Sequence, residues 1–129
     1  MEINLLAILA AGIINMVVGS LWYGPLFGKK WMALSGHTMG EKKGMTKAYV
    51  IMFGGALVMA YVMSYLIGLA GASSFKAGME VGFWAWLGFV ATVELGTVLW
   101  DRKPWALFRL NAAYHLVVMA LMGGVLAIW

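Results

Sequence analysis

Residues 105–129 read WALFRLNAAYHLVVMALMGGVLAIW. Arg109 is the one Lys, Arg, Asp or Glu in this stretch, and it sits near the start; the rest is apolar, small or uncharged. A helix rises about 1.5 Å per residue, and about 20 residues suffice to cross a hydrocarbon core about 30 Å thick. The run has no polar stripe that would give a soluble helix a wet face. Working outward along the chain, three further runs have the same character: about Ala77 to Trp100, about Lys47 to Gly71, and Ile3 to Gly24, closed by Pro25. The expected architecture is therefore all-α: a single transmembrane domain over residues 1–129, with helices at about 3–24, 47–71, 77–100 and 105–129 and one long loop over 25–46.

Composition agrees. Hydrophobic residues make up 64% of the 129-residue chain and charged residues 11%, against roughly 25% charged in ordinary soluble domains. Mean hydropathy is +0.89. The net charge of +4 would raise the question of nucleic acid in a soluble protein. Here the basic residues lie in short stretches between apolar runs, so membrane orientation explains them and no nucleic-acid partner is expected. With no cysteine, disulfides, thiolate metal sites and cysteine nucleophiles are excluded together.

Orientation follows from loop charge. Lys29, Lys30, Lys42, Lys43 and Lys47 belong to the first loop and its edge, and Arg102, Lys103 and Arg109 to the third connection. Lys76 alone falls on the opposite side. Basic loops stay in the cytoplasm, which predicts two antiparallel helical hairpins with both termini on the non-cytoplasmic side of a cell inner or plasma membrane. The first run lacks a basic leader and ends in aromatic residues rather than a small-residue cleavage site, so it is expected to be retained. Trp22, Tyr23, Trp31, Trp100 and Trp105 gather where the cytoplasmic interface should lie, and Trp129 where the outer one should, as indole rings prefer. Leu26 to Leu34 is apolar enough to lie along the surface. Gly19-Ser20-Leu21-Trp22 echoes Gly96-Thr97-Val98-Leu99-Trp100, an echo that matched membrane depth explains better than duplication.

Helix association in lipid relies on close packing of small residues and on interhelical hydrogen bonds. Ala56, Ala60, Ser64 and Gly68 form a four-residue stripe on the second run; Ala120, Gly123, Gly124 and Ala127 serve the fourth, and Ala7, Ala11, Gly12 and Gly19 the first. Such stripes fit packing within the chain and packing between copies equally.

Ionisable groups inside a bilayer cost roughly 2.5–3.5 kcal/mol or more at its centre, so each calls for an explanation. Glu94 and Arg109 fall at similar depth on consecutive helices, which makes a Glu94–Arg109 ion pair geometrically reasonable; an Arg109 that snorkels to the headgroups is the plainer reading. His115 lies about 15 Å beyond Trp105, near mid-membrane. Asn111 is one turn earlier on the same face, Asn15 reaches a comparable depth, and Thr92 could join them. A buried His beside Glu94 would relay protons or hold a ligand; interhelical hydrogen bonding accounts for the same residues without any chemistry. Glu80, two heptads before Glu94, is expected on a similar face, where the two acids would line an aqueous path. Met59 and Met63 place two thioethers together, but methionine is also ordinary core filler. His115 is the only intramembrane histidine, and His37 lies across the interface in the loop. No phosphate-binding loop, catalytic triad or metal constellation is present, so neither an enzyme nor a cofactor is expected.

The segment Gly19-Ser20-Leu21-Trp22-Tyr23-Gly24-Pro25-Leu26-Phe27-Gly28-Lys29-Lys30-Trp31-Met32 resembles the signature of the membrane family catalogued as domain of unknown function 1761. The stretch Asn111-Ala112-Ala113-Tyr114-His115-Leu116-Val117, followed by Met122-Gly123-Gly124 and Trp129, is similar to that family's last helix. The resemblance implies a small four-helix membrane protein and supplies no catalytic residue. The functional expectation is an oligomeric membrane-embedded module that binds or transports a small molecule or ion through Asn15, Glu94, Asn111 and His115. The alternative is a non-catalytic accessory subunit of a larger membrane complex.

Overall fold

The computed structural model describes residues 3–36 and 45–129. Lys42, Lys43 and His37, which belong to the long loop, lie outside the described residues. Helices α1 (Leu5–Leu21), α2 (Gly28–Ser35), α3 (Met45–Ala70), α4 (Phe75–Ala85), α5 (Thr92–Leu99) and α6 (Trp105–Ile128) follow one another, and no strand occurs among the described residues. Two π-helical turns, Trp22–Leu26 and Trp86–Ala91, join α1 toward α2 and α4 to α5. Four stretches are long and apolar enough to cross a membrane: Leu5–Leu26, Thr46–Ala70, Phe75–Leu99 and Trp105–Ile128.

Local chemistry sets the ends. Asn4 caps α1 by accepting the Ala7 N–H at 3.1 Å, and Ser74 caps α4 through the Ala77 N–H. Each satisfies a backbone donor that the first turn leaves without a partner. α3 stops at Gly71, whose φ of 69° lets the Gly71 N–H bond Gly68 O and the Ala72 N–H bond Ile67 O, a Schellman closure. Pro25 does not stop the first span. It lacks an N–H, and its ring would crowd the carbonyl four residues back. The turn therefore widens, the Phe27 N–H reaches Trp22 O at 2.8 Å, and the chain continues through Leu26.

α6 is the central helix and packs against α1, α3 and α4. The core is made of Ala7 and Ala11 of α1, Ala60, Met63 and Ile67 of α3, and Val118, Met122 and Leu126 of α6. The α4–α6 contact is made by backbone. A Cβ added at Gly78 would run into the carbonyl of Gly123, and one added at Gly82 into that of Met119. Moving from Gly78 to Gly82 thus shifts the contact from Gly123 back to Met119, so the two helices run in opposite directions. The expected α3 stripe holds only in part. Ala56 and Ala60 are buried, but Gly68 is exposed and the covered face continues through Met63 and Ile67. Each step of four residues turns about 40° round an α-helix, and by Gly68 the stripe has rotated off the contact.

The outside of the bundle is apolar: Val50, Ile51, Val58, Leu69, Phe89 and Val93 are all exposed. In water such a surface would drive aggregation; against lipid it costs nothing. The two echoed tryptophans differ. Trp100 is 82% exposed, whereas Trp22 turns inward onto Phe27 and Tyr114. Its neighbour Tyr23 is likewise half-buried.

Candidate functional site

Asn15, Gly19 and Tyr23 succeed one another at four-residue spacing on α1 and its π turn, facing Asn111, Tyr114 and His115 on α6. Tyr114 fits against Gly19 so closely that a Cβ there would lie 2.9 Å from its hydroxyl. Gly19 thus lets a phenol occupy the space between two helices. The rings of Tyr23 and Tyr114 meet edge to face at 5.1 Å, and those of Tyr114 and His115 at 5.0 Å.

Glu94 reaches this group because of the second π turn. Gly82 faces α6, and Glu94 follows it twelve positions later, which in an unbroken α-helix is about 120° further round. A turn closed by an i→i+5 bond holds one extra residue. The remaining eleven positions bring Glu94 to within about 20° of the Gly82 direction. The same insertion takes Glu80 out of register, so the expected shared face of Glu80 and Glu94 does not form. Glu80 instead borders a shallow outer groove with Lys76, Phe83 and Leu116.

The polar contacts are specific. His115 Nδ1 lies 2.8 Å from Glu94 Oε1 and 2.9 Å from the Asn111 carbonyl oxygen. A carbonyl can only accept, so Nδ1 carries the hydrogen, and the ring's free position for gaining or losing a proton is Nε2. The Tyr23 hydroxyl donates to Asn111 Oδ1 at 2.6 Å. The Tyr114 hydroxyl donates to Asn15 Oδ1 at 2.9 Å. The Asn15 amide donates in turn to the sulfurs of Met59 at 3.7 Å and Met122 at 3.8 Å. Trp86 Nε1 donates to the Ala112 carbonyl, tying the second π turn to α6 beside the site. Glu94 Oε2 and Trp22 Nε1 are buried with no hydrogen-bond partner among the described residues.

These side chains border a cavity of about 530 Å³, within the usual range for small-molecule sites. α1 supplies Asn15, Met16, Gly19 and Ser20, with Tyr23 and Gly24 from the π turn; α3 adds Ala48, Tyr49 and Met52, α5 adds Glu94, and α6 adds Asn111, Tyr114 and His115. The structure therefore brings together Asn15, Glu94, Asn111 and His115.

Two expected members stand apart. Arg109 is exposed and does not pair with Glu94; His115 does. Arg109 precedes Asn111 by two residues, about 200° round the helix, and so faces away. Thr92, two residues before Glu94, is displaced in the same way: it is exposed, and its hydroxyl donates to Gly88 O at 2.8 Å. Met59 and Met63 diverge as well, Met59 toward Asn15 and Met63 into the core. Among the described residues no group of three or more His, Cys, Asp or Glu could hold a metal. Sequence reasoning passed over Tyr23, Tyr49 and Tyr114. For Tyr23 the signal was its four-residue register with Asn15 and Gly19.

The family described as "Protein of unknown function (DUF1761)" matches residues 6–127. The chain belongs to this family. Neither a curated protein nor a solved structure matches it. As a DUF1761 member it carries both quoted motifs at the site: the first holds Gly19 and Tyr23, the second Asn111, Tyr114 and His115.

Proposed function

We propose that this DUF1761 protein is a membrane-embedded module that binds a small solute in the cavity between α1, α3, α5 and α6 and passes it to or from the bilayer. One observation carries the reading: a carboxylate and an imidazole are held together inside the apolar spans, on the wall of a cavity large enough for a ligand. Ionisable groups at such positions are expensive, and those that persist mark ligand or ion pathways. An oligomer fits the proposal, because a single four-helix protomer is thin for enclosing a path across the membrane. The lysine-rich loop side is taken as cytoplasmic, following the charge bias.

The accessory-subunit reading draws on a different observation. Tyr23, Asn111, Tyr114, Asn15, His115 and Glu94 bond one another, as purely structural groups would. One experiment separates the two. The protein is extracted gently in lipid nanodiscs and analysed by native mass spectrometry, alongside a variant with Ala48→Trp, which fills the cavity from an exposed position. A small bound mass present in the wild type and absent from Ala48→Trp supports the binding module. Stable retention of a different subunit, with the same small-molecule content in both forms, supports the accessory role and defeats the module. In vesicles, solute or proton flux that His115→Ala leaves unchanged would remove His115 from the site.

A further inference from the structure

We infer that the cavity selects a small organic cation, with the ammonium group of the ligand placed against Glu94 and its apolar body among Tyr23, Tyr49 and Tyr114. The inference rests on the binding reading above and adds the charge of the ligand. Three observations lead to it.

The first is the set of hydrogen-bonding groups. Glu94 Oε2 is buried without a partner among the described residues, although its twin Oε1 is held by His115. A carboxylate oxygen inside an apolar span needs a donor; Glu94 borders the cavity, and a turn of its side chain would bring Oε2 to a ligand N–H there. The hydroxyls of Tyr23 and Tyr114 have already given their hydrogens to Asn111 and Asn15, so what these phenols have left for a ligand is oxygen lone pairs.

The second is charge. Among the described residues neither Lys nor Arg borders the cavity, and Glu94 is its one acid. The His115 Nδ1–H is committed to acceptors; in the neutral form of the ring the Glu94 charge is uncompensated and Nε2 adds a lone pair. An anion would meet the Glu94 carboxylate with no fixed positive charge among the described lining residues to offset it; a cation meets its complement.

The third is the wall itself. Aromatic faces attract ammonium groups, and three tyrosines border this space.

The test uses three probes of matched shape: 2-phenylethylammonium, 2-phenylethanol and phenylacetate. Binding is measured by calorimetry on the detergent-purified full chain, with Ala48→Trp giving the baseline for partition into micelles. The expected result is that the ammonium binds at least tenfold more tightly than the alcohol, and that phenylacetate stays at baseline. Glu94→Gln should reduce the ammonium to the level of the alcohol while alcohol binding persists, which shows the cavity is still formed. An ethanolamine headgroup carries the same chemistry as a free amine. Competition by added phosphatidylethanolamine would assign the site to lipid, and its absence to a free solute. Equal binding of all three probes, or preference for phenylacetate, would overturn the cation assignment and leave the binding module standing. Failure of every probe to exceed the Ala48→Trp baseline, with no native adduct in the nanodisc experiment, would overturn both.

Discussion

α6 meets its neighbours in two opposite ways along its length. From Met119 to Ala127 it lies backbone against backbone on Gly78 and Gly82, with no room for even a methyl group. From Asn111 to His115 it is held away by Tyr23, Tyr114 and the second π turn, and a cavity of about 530 Å³ opens. One helix thus serves as mortar at one end and as a cavity wall at the other. Residue size decides which. Without a hydrophobic force between helices in lipid, contact area must come from close approach, and only small residues permit it. Where phenols and imidazole replace glycine, the helices part and hydrogen bonds take over.

The comparison can be broken most sharply at Gly78. Gly78→Ala should destabilise the bundle by at least the top of the usual overpacking range of about 1–3 kcal/mol, because the obstacle is the Gly123 carbonyl rather than a flexible side chain. Thermal or denaturant unfolding in detergent would register it, and an unchanged midpoint would show that the closed half is not close-packed. Deleting Gly88, which has open space around it, should remove the extra residue and return the second π turn to plain α-helix, leaving Glu94 within about 20° of the Gly82 direction and still facing His115. The imidazole ¹⁵N signals of His115 should then stay at their wild-type positions; signals matching those of Glu94→Gln in the deletion variant would refute the register argument.

Two smaller effects sharpen the contrast. Gly54→Ala makes the same change as Gly78→Ala on an exposed face of α3 with nothing nearby. It should raise stability by about 0.5–1 kcal/mol through helix propensity, so opposite signs at Gly54 and Gly78 would tie the cost to contact rather than to glycine itself. Tyr23→Phe removes the 2.6 Å bond to Asn111. It should cost only about 0.6 kcal/mol, the typical worth of an interhelical hydrogen bond in a membrane bundle, while altering probe affinity at the cavity.

The four apolar runs were legible because hydropathy and length are properties of the sequence alone, and Asn15, Glu94, Asn111 and His115 stood out because polar groups are rare in such runs. Their pairing was less legible. Depth placed Arg109 beside Glu94, but depth says nothing about azimuth, and two residues on a helix are enough to point Arg109 outward. The Glu80–Glu94 spacing misled for a deeper reason: it presumes an unbroken helix, and no residue in Trp86–Ala91 announces the extra residue of a π turn. At the first π turn Pro25 was a visible cause, yet proline marks either an end or a widening, and only the Phe27–Trp22 bond distinguishes them. Gly78 and Gly82 did not stand out because Trp86 takes the next four-residue step, leaving a stripe of only two small residues on that spacing within the third run.

The Asn15 side chain ends the polar chain on two thioethers. Sulfur in Met59 and Met122 can accept the amide's hydrogens but has none to hand on, and beyond it α6 continues through Met119, Gly123 and Leu126 in dry contact. Within this arrangement the described groups offer no polar relay beyond Asn15, so the cavity ends there against apolar packing. A ligand bound as proposed would leave by the side it entered, until the helices themselves shift.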